Sequence, residues 1–254
     1  MVNKLGVLDL FSGSGGFSLG LERAGMETVA FCEIAEFPKK VLRKHWPKVP
    51  IYDDVADITA SRLAADGIAA DIVCGGFPCV DVSNAGGRLG LDGERSGLYS
   101  HGIRIADEIR PDYLLLENVA ALLGRGLARI LGDLAKIGYD AEWHCIPASY
   151  VGGIHIRDRI WIIAYPCGTR GEGLVKSEDF SEARSRRMRC QADLQSIIDA
   201  PFERGNSWPQ PLLRRMDDGL PGKMDRLKAI GNAVFPDIPE IIGRAIIASM
   251  EPRT

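Results

Sequence analysis

Five short stretches of the sequence carry residue types able to do chemistry. Gly75-Gly76-Phe77-Pro78-Cys79 follows an apolar run that reads as a strand, Asp71–Cys74. A thiol in a loop at the carboxyl edge of a sheet stands where open α/β folds bind ligands, so Cys79 is a candidate nucleophile. An unperturbed thiol is little ionised near neutrality and needs local activation. Free cysteine is also common as packing, and the loop position is what favours chemistry. Glu117 and Asn118 come after the near-continuous apolar run Tyr113–Leu116, which puts a carboxylate at the rim of a buried strand. Desolvation there raises a carboxylate's pKa and lets it hold a proton to donate; a helix cap or an arginine pair is the alternative. In His155-Ile156-Arg157-Asp158-Arg159-Ile160-Trp161 the two-residue period puts His155, Arg157 and Arg159 on one strand face, where they need acidic side chains or a ligand opposite.

The other two stretches suit a nucleotide-like ligand. Asp9-Leu10-Phe11-Ser12-Gly13-Ser14-Gly15-Gly16 closes the first strand with a turn that only glycines fold tightly, and the expectation is that backbone amides are left free for a ligand. The last glycine of a dinucleotide fingerprint would fall on Ser18, and no Gly-Lys-Ser/Thr follows, so neither a pyrophosphate site nor a P-loop is indicated. Glu33, ending the second strand, occupies the usual place of a carboxylate that accepts two ribose hydroxyls. A cofactor carrying adenosine but needing no pyrophosphate fits both.

The elements required to hold these groups alternate. Strands are expected at 5–11, 29–32, 71–74, 113–116, 139–146 and 156–164, with a helix carrying Phe17, Leu19 and Leu21 into Ala24 and Gly25 and further helices at 36–45, at 98–109 and at 127–137. That order predicts an α/β fold, a doubly wound and mostly parallel sheet with helices on both faces. Between 166 and 213 the periodicity fails, and Arg, Glu, Ser, Gly and Pro dominate. Order returns with a helix at 239–250 whose Ile241, Ile242, Ala245 and Ile246 form an apolar stripe. The expected organisation is a main domain at 1–165, a small irregular unit at 166–213 that leans on it or on a ligand, and a return at 214–254 that completes it.

At 254 residues, 46% hydrophobic and 26% charged, the chain has the composition of a folded domain with its own core. It has no apolar run long enough to span a membrane, and six scattered cysteines without metal spacing suggest reduced thiols in a soluble, cytoplasmic protein with no metal. The net charge of −3 hides an asymmetry. Residues 1–153 hold 15 Lys+Arg against 20 Asp+Glu, whereas 154–230 hold 14 against 11, including Arg184, Arg186, Arg187 and Arg189. Charge alone reads that cluster as a solvated face.

Taken in order, these motifs resemble the cytosine-5 DNA methyltransferase family through nearly the whole chain except 166–213. DLFSGSGG (9–16) is similar to the family's S-adenosylmethionine loop, GGFPC (75–79) to its nucleophile loop, ENV (117–119) to its acid motif, Arg157-Asp158-Arg159 to its arginine motif, and GNAVFP (231–236) to its C-terminal return. The resemblance implies an S-adenosylmethionine-dependent methyltransferase fold, with 166–213 as a short target-recognition region. It also implies a monomeric enzyme that flips cytosine out of duplex DNA, methylates carbon 5 and releases S-adenosylhomocysteine. By this analogy Cys79 attacks carbon 6, Glu117 binds the exocyclic amine and ring nitrogen 3, Arg159 with Arg157 holds the base oxygen and adjoining phosphate, and Asn118 supports the loop. For the cofactor, Phe11, Ser12, Gly13, Gly15 and Phe17 line the loop, and Glu33 takes the ribose. Asp54 (with Asp53 as rival) faces the adenine amine, Pro78 and Leu98 flank it, and Asn232 closes the methionine end. Arg184, Arg186, Arg187 and Arg189 become candidate DNA contacts. Val80 and His155 stand where the family usually has glutamines, which bears on rate more than on reaction type. The 214–234 ending is similar to bacteriophage and prophage members. A tRNA-methylating branch with the same motifs and a silent DNA-binding relative are the competing readings, and restriction-modification, phage protection and regulation are the candidate roles.

Overall fold

The computed structural model describes residues 4–78, 98–151, 158–169, 174–175 and 233–250. Cys79, His155, Arg157, Asn232 and the Arg184–Arg189 cluster lie outside the described residues.

The strands form where apolar runs can be buried on both faces, as a parallel sheet requires. They are β1 (Gly6–Leu10), β2 (Glu27–Cys32), β3 (Ile51–Tyr52), β4 (Ile72–Gly76), β5 (Tyr113–Val119), β6 (Tyr139–Pro147) and β7 (Asp158–Pro166). They assemble in the order β3-β2-β1-β4-β5-β7-β6. Neighbours pair in parallel except at β7, which runs antiparallel to both β5 and β6. The sheet is therefore doubly wound and mostly parallel, as the alternation predicts. β1 and β4 are adjacent where the winding reverses direction, the point beyond whose carboxyl ends open α/β sheets bind their ligands.

The two-residue period separates two cores. On one face Leu8, Leu10, Val73, Leu114, Leu116, Ile160 and Ile162 meet α4 (Tyr99–Ile109) and α6 (Leu127–Lys136). On the other, Val7, Ile72, Cys74, Leu115, Trp161 and Ile163 meet α1 (Gly16–Arg23) and α7 (Asp237–Met250). α2 (Glu36–His45), α3 (Ala60–Ala65) and the single turn α5 (Leu122–Arg125) complete the layers. Among the described residues no helix is long and apolar enough to cross a membrane.

Several element boundaries differ from the sequence reading. β5 runs on to Val119, so Glu117 and Asn118 lie inside the strand and not after it. The reason is pairing: Glu117, Asn118 and Val119 are held opposite Trp161, Ile160 and Arg159 of β7. β3 and α3 were not anticipated, being too short to show a period.

Candidate active site

The loop after β1 is folded by backbone geometry first. Phe11, Gly13 and Gly15 all have positive φ (53°, 53° and 80°), and Phe11 is the strained member because its side chain disfavours that region. The expectation of free amides is only partly met, because the loop spends several on closing itself against β2. Ser12 N donates to the Cys32 carbonyl at 3.0 Å and Gly15 N to the Ser12 carbonyl at 2.9 Å. Gly13 N donates to Glu33 Oε2 at 2.8 Å. The buried Ser12 hydroxyl reaches the carbonyls of Asp9 and Cys32, which makes it a staple of the loop. Phe17 is likewise buried, its ring edge-on to Trp161 at 5.3 Å.

Glu33 binds the loop on one side and the start of α2 on the other, since its Oε1 accepts from Ala35 N at 2.7 Å. Each carboxylate oxygen has a second lone pair, so two further hydroxyl donors can still be accepted. Beside it Ile34 is 75% exposed, an apolar side chain on the rim that the sequence reading passed over. Past β3, Asp54 is exposed and caps a short turn by accepting from Ala56 N at 2.9 Å. Asp53 accepts from the buried Lys39 Nζ at 2.7 Å. Pro78 and Leu98 are half-buried on either side of the undescribed stretch that holds Cys79.

Two glycines bring β4 close to its neighbours. A Cβ on Gly75 would stand 2.7 Å from the Leu10 carbonyl, and one on Gly76 would stand 3.0 Å from Glu117 Oε2. Glu117 is buried, and its Oε1 meets Arg159 Nε at 2.8 Å, the pairing that β5–β7 register makes available. Asn118, on the opposite face, donates from Nδ2 to the Phe77 carbonyl at 3.1 Å and accepts from Val119 N at 2.8 Å. It thus tethers the chain two residues before Cys79. Val234, in the return segment, lies against Gly16 and reaches to 3.9 Å from a Cβ on Gly76; a side chain on Gly16 would overlap the Val234 carbonyl. Loop, acid, arginine and return segment therefore meet at one edge.

Asp9 is a residue whose importance the sequence did not disclose. It is wholly buried beneath the loop, where desolvation pushes its carboxyl up to about 7 against the opposing effect of bonds from Ser18 Oγ (2.7 Å) and Ser18 N (3.3 Å). Among the described residues its Oδ1 has no hydrogen-bond partner. A carboxylate inside an otherwise apolar strand was the available signal. The described thiols are all pushed away from reactivity: Cys32 to about 12 and Cys74 well above its ordinary value, both chiefly by burial. Cys145 is raised by burial and then Asp158, and Cys167 by a bond to Asp140.

Comparison with known proteins places this architecture. A family model described as C-5 cytosine-specific DNA methylase matches residues 5–209. The chain is 36% identical over 166 residues to the Type II methyltransferase M2.BsuMI of Bacillus subtilis (strain 168), covering 62% of this chain and 41% of that protein. To the Type II methyltransferase M.CviJI of Paramecium bursaria Chlorella virus IL3A it is 32% identical over 201 residues, covering 78% and 53%. The chain thus spans about half the length, or less, of these relatives. Among solved structures, a DNA modification methyltransferase encoded within an E. coli prophage superimposes with a TM-score of 0.53 at 27% identity, over 64% of this chain and 47% of that one. S. pombe Dnmt2 methyltransferase gives 0.58 at 19% identity, over 71% and 55%, a likeness of fold alone.

Proposed function

The chain belongs to the C-5 cytosine-specific DNA methylase family, and from that premise we propose that it transfers a methyl group from S-adenosylmethionine to carbon 5 of cytosine in duplex DNA. The observation that carries the reading is the pairing of buried Glu117 with half-buried Arg159 beside the carboxyl end of β4, with Asn118 tethering the chain that leads to Cys79. In this assignment 1–165 and 214–254 form the catalytic domain, and 166–213 recognises the target.

A flipped cytosine set over Gly76 would meet Glu117 through its exocyclic amine and ring nitrogen 3, while Arg159 turns its guanidinium to the base oxygen, with Arg157 at the adjoining phosphate. The Cys79 thiolate adds to carbon 6, and the electron pair moves to carbon 5, which becomes nucleophilic. After methyl transfer the carbon-5 proton leaves, Cys79 is expelled and the ring is restored. S-adenosylmethionine, when bound, supplies the electrophilic methyl on its sulfonium. The residues present suit that group: Glu33 has lone pairs to spare for ribose hydroxyls, and Ile34 offers an exposed apolar surface beside it for adenine. Asp54 or Asp53 faces the adenine amine, Phe11, Gly13, Gly15 and Phe17 shape the loop, Pro78 and Leu98 flank the base, and Asn232 closes the methionine end.

The test is covalent capture. Fluorine at carbon 5 blocks the final proton loss, so 5-fluorocytosine duplexes carrying the target should give a denaturant-resistant adduct when S-adenosylmethionine is present. Cys79→Ser should give none, whereas Cys74→Ser and Cys145→Ser should still form it. An adduct mapped to another cysteine rejects the nucleophile, and label from the methyl donor found only in tRNA, when both nucleic acids are offered, rejects the substrate.

A further inference from the structure

β7 ends at Pro166 on the amino edge of the sheet, far from the candidate site, because it runs antiparallel to β5. Any segment that is to meet DNA at the carboxyl edge must first be brought back. The structure contains a device for this on β6, which runs in the same sense as β5. Asp140, Glu142 and His144 occupy alternate positions of β6 and so share one face, the face that also carries Glu117 and Arg159. Asp140 holds the turn after β7: its Oδ2 accepts from Gly168 N at 3.3 Å and its Oδ1 from Cys167 Sγ at 3.5 Å. Glu142, one step nearer the site, accepts from Leu174 N at 2.7 Å and from Val175 N at 3.2 Å, one amide on each oxygen. The Leu174 and Val175 side chains are buried beside Ile163 and Tyr165. His144 follows at the register level of Glu117, both lying opposite Trp161, with Nε2 3.6 Å from Glu142 Oε1.

We propose that Glu142 is a positioning residue for the DNA substrate: with Asp140 it fastens Cys167, Gly168, Leu174 and Val175 to β6 and so sets where the following target-recognition region leaves the catalytic sheet. This rests on the methyltransferase reading for the identity of the substrate, but the clasp itself is a matter of two amides and one carboxylate. A carboxylate that accepts two consecutive backbone N–H groups cannot be matched by an amide side chain, which offers one acceptor and turns a donor toward the second N–H.

The experiment compares the full chain with its Glu142→Gln and Glu142→Ala variants in three measurements. Hydrogen exchange at the Leu174 and Val175 amides should quicken by about tenfold or more in either variant. KM for unmethylated plasmid DNA should rise by about tenfold, while kcat and the calorimetric Kd for S-adenosylmethionine stay within about twofold. The glutamine variant keeps the side-chain volume and serves if the alanine variant does not fold. Unchanged exchange overturns the clasp, and quickened exchange with an unchanged KM for DNA overturns its role in substrate positioning. A wild-type chain that binds S-adenosylmethionine yet methylates no duplex counts against the proposed substrate, and exchange at the two amides still decides the clasp.

Discussion

Asp9 and Glu33 show how single carboxylates build the loop on which a cofactor would rest. Asp9 titrates near 7 in the folded chain and near 3.8 in the unfolded one. Between those values the native state holds a proton that the unfolded state has released, so the contribution is present in full below the lower value and is lost as pH rises through the upper one. Relative to Asp9→Asn, the wild type should lose stability from pH 5 to pH 7.5, by up to about 1.4 kcal/mol per pH unit. Parallel urea-denaturation profiles for the two proteins would rule this out. Glu33 has a double duty, since its removal frees the Gly13 amide as well as deleting the proposed ribose acceptor. Glu33→Ala should therefore weaken S-adenosylmethionine binding by about tenfold or more, a loss of at least ~1.4 kcal/mol in calorimetry. Glu117→Gln should leave that affinity nearly intact and lower turnover by about three orders of magnitude. Equal cofactor affinity for Glu33→Ala and wild type would refute the ribose assignment.

At the scale of elements, the contact between α1 and the C-terminal return is made possible by absent side chains. Gly16 lies under the Val234 carbonyl, and a Cβ on Gly20 would overlap the Pro236 carbonyl and stand 2.7 Å from the Pro239 ring. Backbone and a proline ring cannot move aside as a flexible side chain does, so Gly20→Ala should lower stability by about 1–3 kcal/mol despite its better helix propensity. The internal comparison is Gly132, in α6, around which a Cβ would meet nothing within 4 Å among the described residues. Gly132→Ala should stabilise by about 0.5–1 kcal/mol, because there only the propensity changes. Thermal melts that move both variants in the same direction would contradict this account. Gly20→Ala should also weaken cofactor binding if Asn232, two residues before Val234 in sequence, has the methionine-end role proposed for it.

For the whole molecule, sheet topology decides which distant segments share an edge. Reversal of the winding between β1 and β4 puts the glycine loop and the chain toward Cys79 side by side, and the antiparallel β7 delivers Arg159 to Glu117 from the far side. The proposed nucleic-acid binding belongs to this scale as well, since the surplus of positive charge is confined to 154–230. DNA affinity should fall steeply with salt, each neutralised phosphate adding about −0.9 to the log–log slope. Alanine at Arg184, Arg186, Arg187 and Arg189 together should flatten the slope by about that amount for each arginine that contacts a phosphate. An unchanged slope, measured by fluorescence anisotropy titration over a range of salt, returns the cluster to the solvated face that charge alone suggested.

Every strand of the sheet but β3, its mostly parallel sense and the order of the motifs were legible in the sequence, because each depends on local patterns: apolar runs, glycine turns and helical periods within a few residues. Glu36–His45 was read to its ends from such a pattern, and the motif order was enough to suggest the family. What only the tertiary structure decided depends on register and burial, which sum over contacts remote in sequence. The pairing of Glu117 with Arg159 follows from one particular alignment of β5 on β7, and a slip by a single residue would send Arg159 to the other face. Whether Asp9 keeps a proton depends on the water excluded by α1 and β4, which the motif DLF does not reveal. The hold of Glu142 on Leu174 and Val175 joins residues 32 and 33 positions apart with the whole of β7 between them, a contact no local pattern encodes.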